Sequence, residues 1–405
     1  MKVLMINHFP LEGSGSGTYT KNLATQLAKL GHEVCIILPQ NTTSFPGYAG
    51  VRLHPVYFTD TRVEEPEAIP GALPFNFPCF TTHPVSITAF DDLDAAQTEA
   101  YLAAFRAAIQ QEVAEFQPDV IHGQHVWALP SLAVDCGVPL VLTAHGTDLM
   151  GYDKWPEMRH YAATAMEAAV KVICISADNE ELVRTAFPQY ADKIVRMRNG
   201  YNPDIFYPQQ LDRAEVLGRY GLSYSGEDVI LFAGKMTRFK GIDVLLDAAA
   251  KYEAQLPNAI TVLAGDGEER PNLEAQAERL GLQRVTLIGN VAQDALAQLY
   301  SIADIDLVPS RREPFGLVAV EAMACGTPVV ATNQGGLPDF VNHSVGELVN
   351  PEDADDLARG VVETLERALA NPAWREEVAA YASGNYSQAA IIRELEALYL
   401  EVIGS

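Results

Sequence analysis

Glu313-Pro314-Phe315-Gly316-Leu317-Val318-Ala319-Val320-Glu321, running on into Ala322-Met323-Ala324-Cys325-Gly326-Thr327-Pro328, sets the pattern for this chain. Pro314 and Gly316 mark a turn, and the apolar residues after them predict a helix ending near Gly326. Apolar runs flank it, Ile305–Val308 before and Pro328–Ala331 after, so the unit reads strand, turn, helix, strand. Glu313 falls in the loop at the helix mouth, and Glu321 lies more than one turn in. A helix start preceded by glycine welcomes an anion, because its free N–H groups and its dipole both favour negative charge. The flanking carboxylates can accept hydrogen bonds from hydroxyls. An anion together with several hydroxyls points to a nucleotide-sugar.

The same alternation extends in both directions. Strands are expected at Val3–Asn7, Val34–Leu38, Val120–His122, Leu140–Ala144 and Lys171–Ser176, and again at Val229–Ala233, Ala259–Ala264 and Val285–Ile288. Near-continuous apolar strands separated by helices predict parallel sheets covered on both faces. A chain of 405 residues is too long for one ordinary core. The expected fold class is therefore α/β, with two doubly wound, Rossmann-like domains facing across a central cleft. The break is expected within residues 199–208, where turn residues cluster and Pro203 and Pro208 stop any helix. This gives an N-terminal domain over 1–202 and a C-terminal domain over 203–385. Residues 388–403 have helical spacing. Residues 61–90, with five prolines and Phe75, Phe77 and Phe80, read either as an irregular surface excursion or as a substrate-facing loop.

The formal charge is -25, from 28 basic and 53 acidic residues, and both halves are acidic. Nucleic acid and anionic bilayers would be repelled. No apolar run approaches a membrane span, and the short apolar start, Val3-Leu4-Met5-Ile6, reads as a buried strand rather than a leader. Five scattered cysteines without a C-x-x-C pair suggest buried thiols in a reducing cytoplasm.

Three further segments carry candidate chemistry. Gly13-Ser14-Gly15-Ser16-Gly17-Thr18 follows the first strand and opens a helix, so Gly15 and Gly17 can let backbone approach a phosphate, or can simply make a tight turn. The spacing is not that of a dinucleotide fingerprint, and Leu38 is followed by Pro39 and Gln40 rather than an acid. Gly234-Lys235-Met236-Thr237-Arg238-Phe239-Lys240-Gly241 places three cations past a buried strand. Each unit charge pair at 4 Å is worth on the order of 4 kcal/mol at an effective dielectric near 20, enough to hold a diphosphate. His145 sits past another strand, at the edge where such sheets bind ligands. His122 and His125 lack a carboxylate to complete a metal set, so no metal is expected. Glu313 and Glu321 do not make a glycosidase pair. Eight helical steps separate their Cα atoms by about 12 Å, against the roughly 5–5.5 Å between carboxyls that double displacement requires.

Together these residues resemble the retaining glycosyltransferases of family 4, which have the GT-B architecture. The match spans nearly the whole chain and is most specific at Glu313…Glu321 with Ala322-Met323-Ala324-Cys325-Gly326-Thr327-Pro328-Val329-Val330-Ala331, and at Pro309-Ser310 and Gly335-Gly336-Leu337-Pro338. The resemblance implies that Glu313 holds donor-sugar hydroxyls and Glu321 the ribose. Backbone around Phe315, Gly316 and Leu317 would touch sugar and phosphate, and Lys240 would bind phosphate. Lys235 stands where the family has Arg, a site Arg238 could supplement. Gly15 matches the second glycine of the family's Gly-Gly loop, and His145 a histidine that contacts the donor sugar. The implied reaction is a metal-independent transfer that retains anomeric configuration, with UDP as carrier and a sugar or other small molecule as acceptor. The family's final helix returns to the N-terminal domain, as residues 386–405 would do here. The rival expectations are another GT-B enzyme, such as an epimerase or phosphorylase, and a non-catalytic nucleotide-sugar sensor.

Overall fold

Two sheets, each parallel throughout, organise the chain, and the computed structural model describes residues 1–404. In the first sheet the strands are β1 (Lys2–Ile6), β2 (Glu33–Gln40), β3 (Val51–Tyr57), β4 (Val120–Gln124), β5 (Leu140–Ala144), β6 (Lys171–Cys174) and β7 (Ile194–Arg196), ordered β3-β2-β1-β4-β5-β6-β7. The second sheet holds β8 (Asp228–Ala233), β9 (Ala259–Ala264), β10 (Val285–Gly289), β11 (Ile305–Val308), β12 (Val329–Thr332) and β13 (Gly346–Val349), ordered β10-β9-β8-β11-β12-β13. Each order reverses beside its first strand, between β1 and β4 and between β8 and β11. These are the switch points at which open α/β sheets bind ligands. The architecture is α/β, with two doubly wound Rossmann-like domains.

The central strands are those expected from their apolar runs. Three strands were not: β3, β7 and β13, each lying at a sheet edge. An edge strand packs fewer neighbours and need not be apolar throughout. β3 carries Arg52, His54 and Pro55, and Pro is tolerated there because one side of an edge strand makes no ladder.

One compact unit comprises Met1–Arg198 with the residues from Ile391, and the other Asn199–Ala390. These divisions fall a few residues from the expected ones at 202/203 and 385/386. The reason is backbone pairing: the Tyr201 N–H donates to Tyr386 O at 3.0 Å, and the Gln388 N–H to Tyr201 O at 3.1 Å. Residues 199–202 thus pair with 386–388. The last helix, Gln388–Gly404, buries Ile391, Ile392, Leu395, Tyr399 and Val402 among Val3, Met5, Leu23 and Leu27 of the first unit.

Residues 61–68 are exposed, as a surface excursion would be, but the aromatic part of the segment departs from that reading. Phe75, Phe77, Cys79, Phe80 and Phe90 are buried in the first unit's core, with Phe80 5.5 Å from the Trp127 ring. All five cysteines are free thiols, and all but Cys136 are buried. No helix among the described residues is long and apolar enough to cross a membrane.

Candidate functional site

The carboxyl edge of the second sheet brings two of the expected residues into direct contact. Lys240, after β8, reaches Glu313, after β11, with Nζ 2.5 Å from Oε2. The pair spans the switch point. The Ser310 hydroxyl also donates to that oxygen at 3.3 Å, and the Glu313 residue is only 7% exposed. A carboxylate so buried needs such partners, since an unpaired buried charge is costly.

Glycines allow the loops to approach one another closely. A Cβ on Gly241 would lie 2.0 Å from Pro309 O, and one on Gly335 2.0 Å from Glu313 O. Both glycines have positive φ, so a side chain would be strained as well as blocked. The Gly336 N–H donates to Glu313 O at 2.9 Å, which fixes the backbone that carries the carboxylate.

Arg311, absent from the expected set, ties the two loops together. Its guanidinium bonds Asp243 bidentately at 2.6 and 2.7 Å, reaches Glu352, and donates to Arg238 O at 2.9 Å. Those hydrogen bonds to Asp243 hold Arg311 above its ordinary pKa range. Burial would raise the Asp243 pKa, but the Arg311 bonds bring it below the usual carboxylate value. The sequence signal was available: a base three residues past an apolar strand, in the same loop as Glu313. Its neighbour Arg312 and the expected Arg238 are both exposed, and among the described residues neither side chain is hydrogen-bonded or ion-paired. Lys235 lies partly buried in the same loop as Lys240.

The helix Leu317–Ala324 starts at Gly316, whose φ is 102° and whose Cβ would strike Leu337 at 2.5 Å. No side chain caps this helix, so its first N–H groups are open to an anion. Phe315 turns inward, its ring 5.3 Å from that of Phe340. Glu321 is on the fifth helical residue and is 5% exposed. Asp306 on β11 is fully buried with neither carboxylate oxygen hydrogen-bonded to a side chain, and burial pushes its pKa well up.

The remaining expected residues, Gly15, Gly17 and His145, belong to the first unit. Ser14 caps the helix Gly15–Lys29, its hydroxyl accepting from the Gly17 N–H at 3.0 Å. A Cβ on Gly17 would lie 2.4 Å from Pro10 O, so the loop itself uses that missing side chain. Gly15 faces open space. His145 Nε2 donates to Gln124 Oε1 at 2.9 Å, and its ring lies 4.7 Å from that of His125 and 5.1 Å from that of Tyr19. Burial lowers the His145 pKa to about 3, so the imidazole is neutral and its Nδ1 is an acceptor. His8 is likewise lowered to about 3, and His125 well below its ordinary value, in both cases chiefly by burial. His125 adopts φ 82°, an uncommon conformation for a residue with a side chain. Asp148 accepts from the backbone N–H groups of Val126 and Leu149, while burial raises its pKa to about 6. His122 spends both nitrogens, one on Tyr399 OH at 2.6 Å and one on the Thr143 hydroxyl at 2.7 Å. It has no lone pair left for a metal.

Comparison with known proteins matches residues 13–205 to the family model Glycosyltransferase Family 4, and residues 219–383 to Glycosyl transferases group 1. The chain is 33% identical over 399 residues to D-inositol 3-phosphate glycosyltransferase of Mycobacterium sp. (strain KMS), covering 91% of this chain and 83% of that protein. It is 34% identical over 276 residues to an uncharacterized glycosyltransferase of Methanocaldococcus jannaschii, covering 64% of this chain and 68% of the relative. In fold it is similar to sucrose-phosphate synthase from Thermosynechococcus elongatus, with a TM-score of 0.73 at 24% identity over 100% of this chain and 99% of that one. Anabaena HepE superposes with the same TM-score, 0.73, at 21% identity over 99% of this chain and 100% of that one. The chain belongs to the group 1 glycosyl transferases of family 4, and it is a glycosyltransferase of the GT-B fold.

Proposed function

We propose that this enzyme moves a hexose from a UDP-sugar to a hydroxyl of a sugar or other small molecule, retaining anomeric configuration without a metal ion. The observation that carries the reading is the Lys240–Glu313 pair at the switch point of the second sheet. An ammonium and a carboxylate held at one point match the two demands of a nucleotide-sugar, an anionic diphosphate and neutral hydroxyls. UDP as carrier is supported by Anabaena HepE, whose structure is a complex with UDP-glucose. A sugar-like acceptor is in keeping with the names of the relatives, D-inositol 3-phosphate glycosyltransferase among them.

In this reading Lys240 meets the diphosphate, with Lys235 and the uncommitted Arg238 and Arg312 as further cations. Open N–H groups at Leu317 and Val318 add a helix-terminal contact. Glu313 accepts from donor-sugar hydroxyls through the oxygen that Lys240 leaves free, and Glu321 accepts from the ribose. His145 presents Nδ1 to a sugar hydroxyl. Charge developing on the departing diphosphate is met by cations already in place, the preorganised stabilisation that lowers a barrier most. The diphosphate then takes the acceptor proton, and no carboxylate acts as nucleophile. Free thiols agree with a cytoplasmic setting.

The test is a thermal-shift screen of nucleotides and nucleotide-sugars, followed by transfer and hydrolysis assays with the best donor. The expected result is stabilisation by UDP and a UDP-hexose, with UDP release and an α product from an α donor. Binding without transfer or hydrolysis across a broad panel would overturn the enzymatic reading.

A further inference from the structure

A cavity of about 210 Å³ opens in the first unit, where the loops after β1, β2 and β3 converge. Its walls include Leu38, Phe45, Tyr48, Leu53, Pro84 and Val85. We propose that this cavity receives an apolar group on the acceptor, and that the acceptor carries no phosphate. The proposal rests on the donor-transfer reading above and specifies its other substrate.

The cavity is built and braced. Asn41 Nδ2 and Asn76 Nδ2 both donate to Val85 O at 2.8 Å, and Arg62 donates to Pro84 O, which fixes the wall made by residues 84 and 85. His83 Nε2 donates to Glu12 O at 3.0 Å, and its ring stacks on Phe9 with an interplanar angle of 4°. Gly13, in the same lining, leads directly into the Ser14 cap and Gly15. The cavity therefore adjoins the loop in which the sequence places a phosphate contact. For scale, an apolar cavity of about 150 Å³ accommodates a benzene ring.

The lining also offers an uncommitted polar side chain. Gln40 lines the cavity, and among the described residues its side-chain amide makes no hydrogen bond. A ligand hydroxyl reaching that amide would gain a hydrogen bond that the fold does not supply. Charge excludes a phosphate. Glu12 lines the cavity, with its carboxylate held by Lys21 at 3.1 Å and by the Tyr48 hydroxyl at 2.7 Å. Across the loops after β1, β2 and β3 the sole Lys or Arg is Arg62, and its guanidinium is spent on Asp60 and Pro84 O. Those loops also hold Glu64, Glu65 and Glu67. A phosphorylated acceptor would meet the Glu12 carboxylate in the lining and no Lys or Arg there.

The test compares binding of 4-nitrophenyl glucoside, methyl glucoside and glucose 6-phosphate to the full chain saturated with UDP, by calorimetry or saturation-transfer NMR. The nitrophenyl glycoside should bind at least about tenfold more tightly than the methyl one, the scale expected for burying an aromatic ring. Val85→Trp, which fills the cavity, should erase that preference while UDP affinity stays unchanged. Phe45→Ala, on another wall, should reduce it and serves if the first variant does not fold. Equal binding of the two glycosides, a preference that survives both variants, or tightest binding by glucose 6-phosphate would each overturn the proposal. Failure of UDP to bind the wild-type protein would instead sink the donor reading, and the glycoside comparison, run without nucleotide, would still judge the cavity.

Discussion

The carboxyl edges of the two sheets share a topology and differ in chemistry. At the second, between β8 and β11, the side chains are ionised and paired: Lys240 with Glu313, and Arg311 with Asp243 and Glu352. At the first, between β1 and β4, the centre is a cluster of stacked neutral rings, with His125 packed against His8 and His145 and the three among Phe80, Phe9 and Tyr19. A switch point provides a place where loops diverge, and nothing in its geometry dictates charge. What each edge can bind is set by the few residues just past the strands. One edge is thus charged and paired, the other built around stacked neutral rings.

The strongest way to break this contrast is Lys240→Ala. Removing the ammonium takes away a cation proposed to meet the diphosphate and leaves the Glu313 carboxylate with only the Ser310 hydroxyl. Turnover should fall by about 10²–10³, the range for losing one preorganised electrostatic contact, and UDP binding should weaken with it. Steady-state kinetics and UDP calorimetry would decide, and near-normal turnover would remove Lys240 from the site.

Acid should next separate the two units. His8, His122 and His145 have folded pKa values near 3, and His125 is also lowered, so the folded state excludes protons that the unfolded chain takes up below about 6.5. Stability is thus full above pH 6.5 and is lost as pH falls towards 3. Asp148, raised to about 6, works the other way between about 3.9 and 6 by holding one proton in the folded state. Four histidines less one aspartate leave three protons, a limiting slope on the order of 4 kcal/mol per pH unit. Hydrogen exchange between pH 7 and pH 5 should show the first unit opening before the second. Equal acid sensitivity of both units would erase the contrast.

The smallest expected effect compares two glycines. Gly335→Ala puts a Cβ against the Glu313 carbonyl at positive φ and should cost about 1–3 kcal/mol, with weaker donor binding. Gly15→Ala meets open space at the start of a helix and should change stability by no more than about 1 kcal/mol, with stabilisation the expected sign. Denaturant melts of the two variants would show whether the edges differ in backbone tolerance as they do in charge.

Much of this was legible in the sequence, and what was not has a physical cause. Leu140–Ala144, Ala259–Ala264 and Ile305–Val308 were readable to the residue because a strand covered on both faces is predominantly apolar, with Asp306 the one charged exception among them. β3, with Arg52 and His54 among its residues, lacks that constraint and left no comparable signal. Lys240 and Glu313 stood out as residue types just past strands. Their ion pair joins positions 73 apart and depends on β8 lying beside β11, which no local pattern states. Arg311 acts through Asp243 and Glu352, partners 68 and 41 residues away that no local pattern pairs with it. Phe75, Phe77 and Phe80 looked like exposed loop residues because prolines surround them, whereas residues 75–80 fold inward and leave Pro66, Pro70, Pro74 and Pro84 at the surface.

The last helix gives the first unit an unusual timetable. That unit's backbone emerges first during synthesis, yet one face of its sheet waits for Ile391, Leu395, Tyr399 and Val402. Roughly 190 residues separate its two segments, about 10–40 s at common translation rates of roughly 5–20 residues per second. Throughout that interval Val3, Met5, Leu23 and Leu27 lack part of their apolar cover. The second unit, contiguous from Asn199 to Ala390, has all its residues before the first does. The half of the molecule that starts first is therefore the half that finishes last.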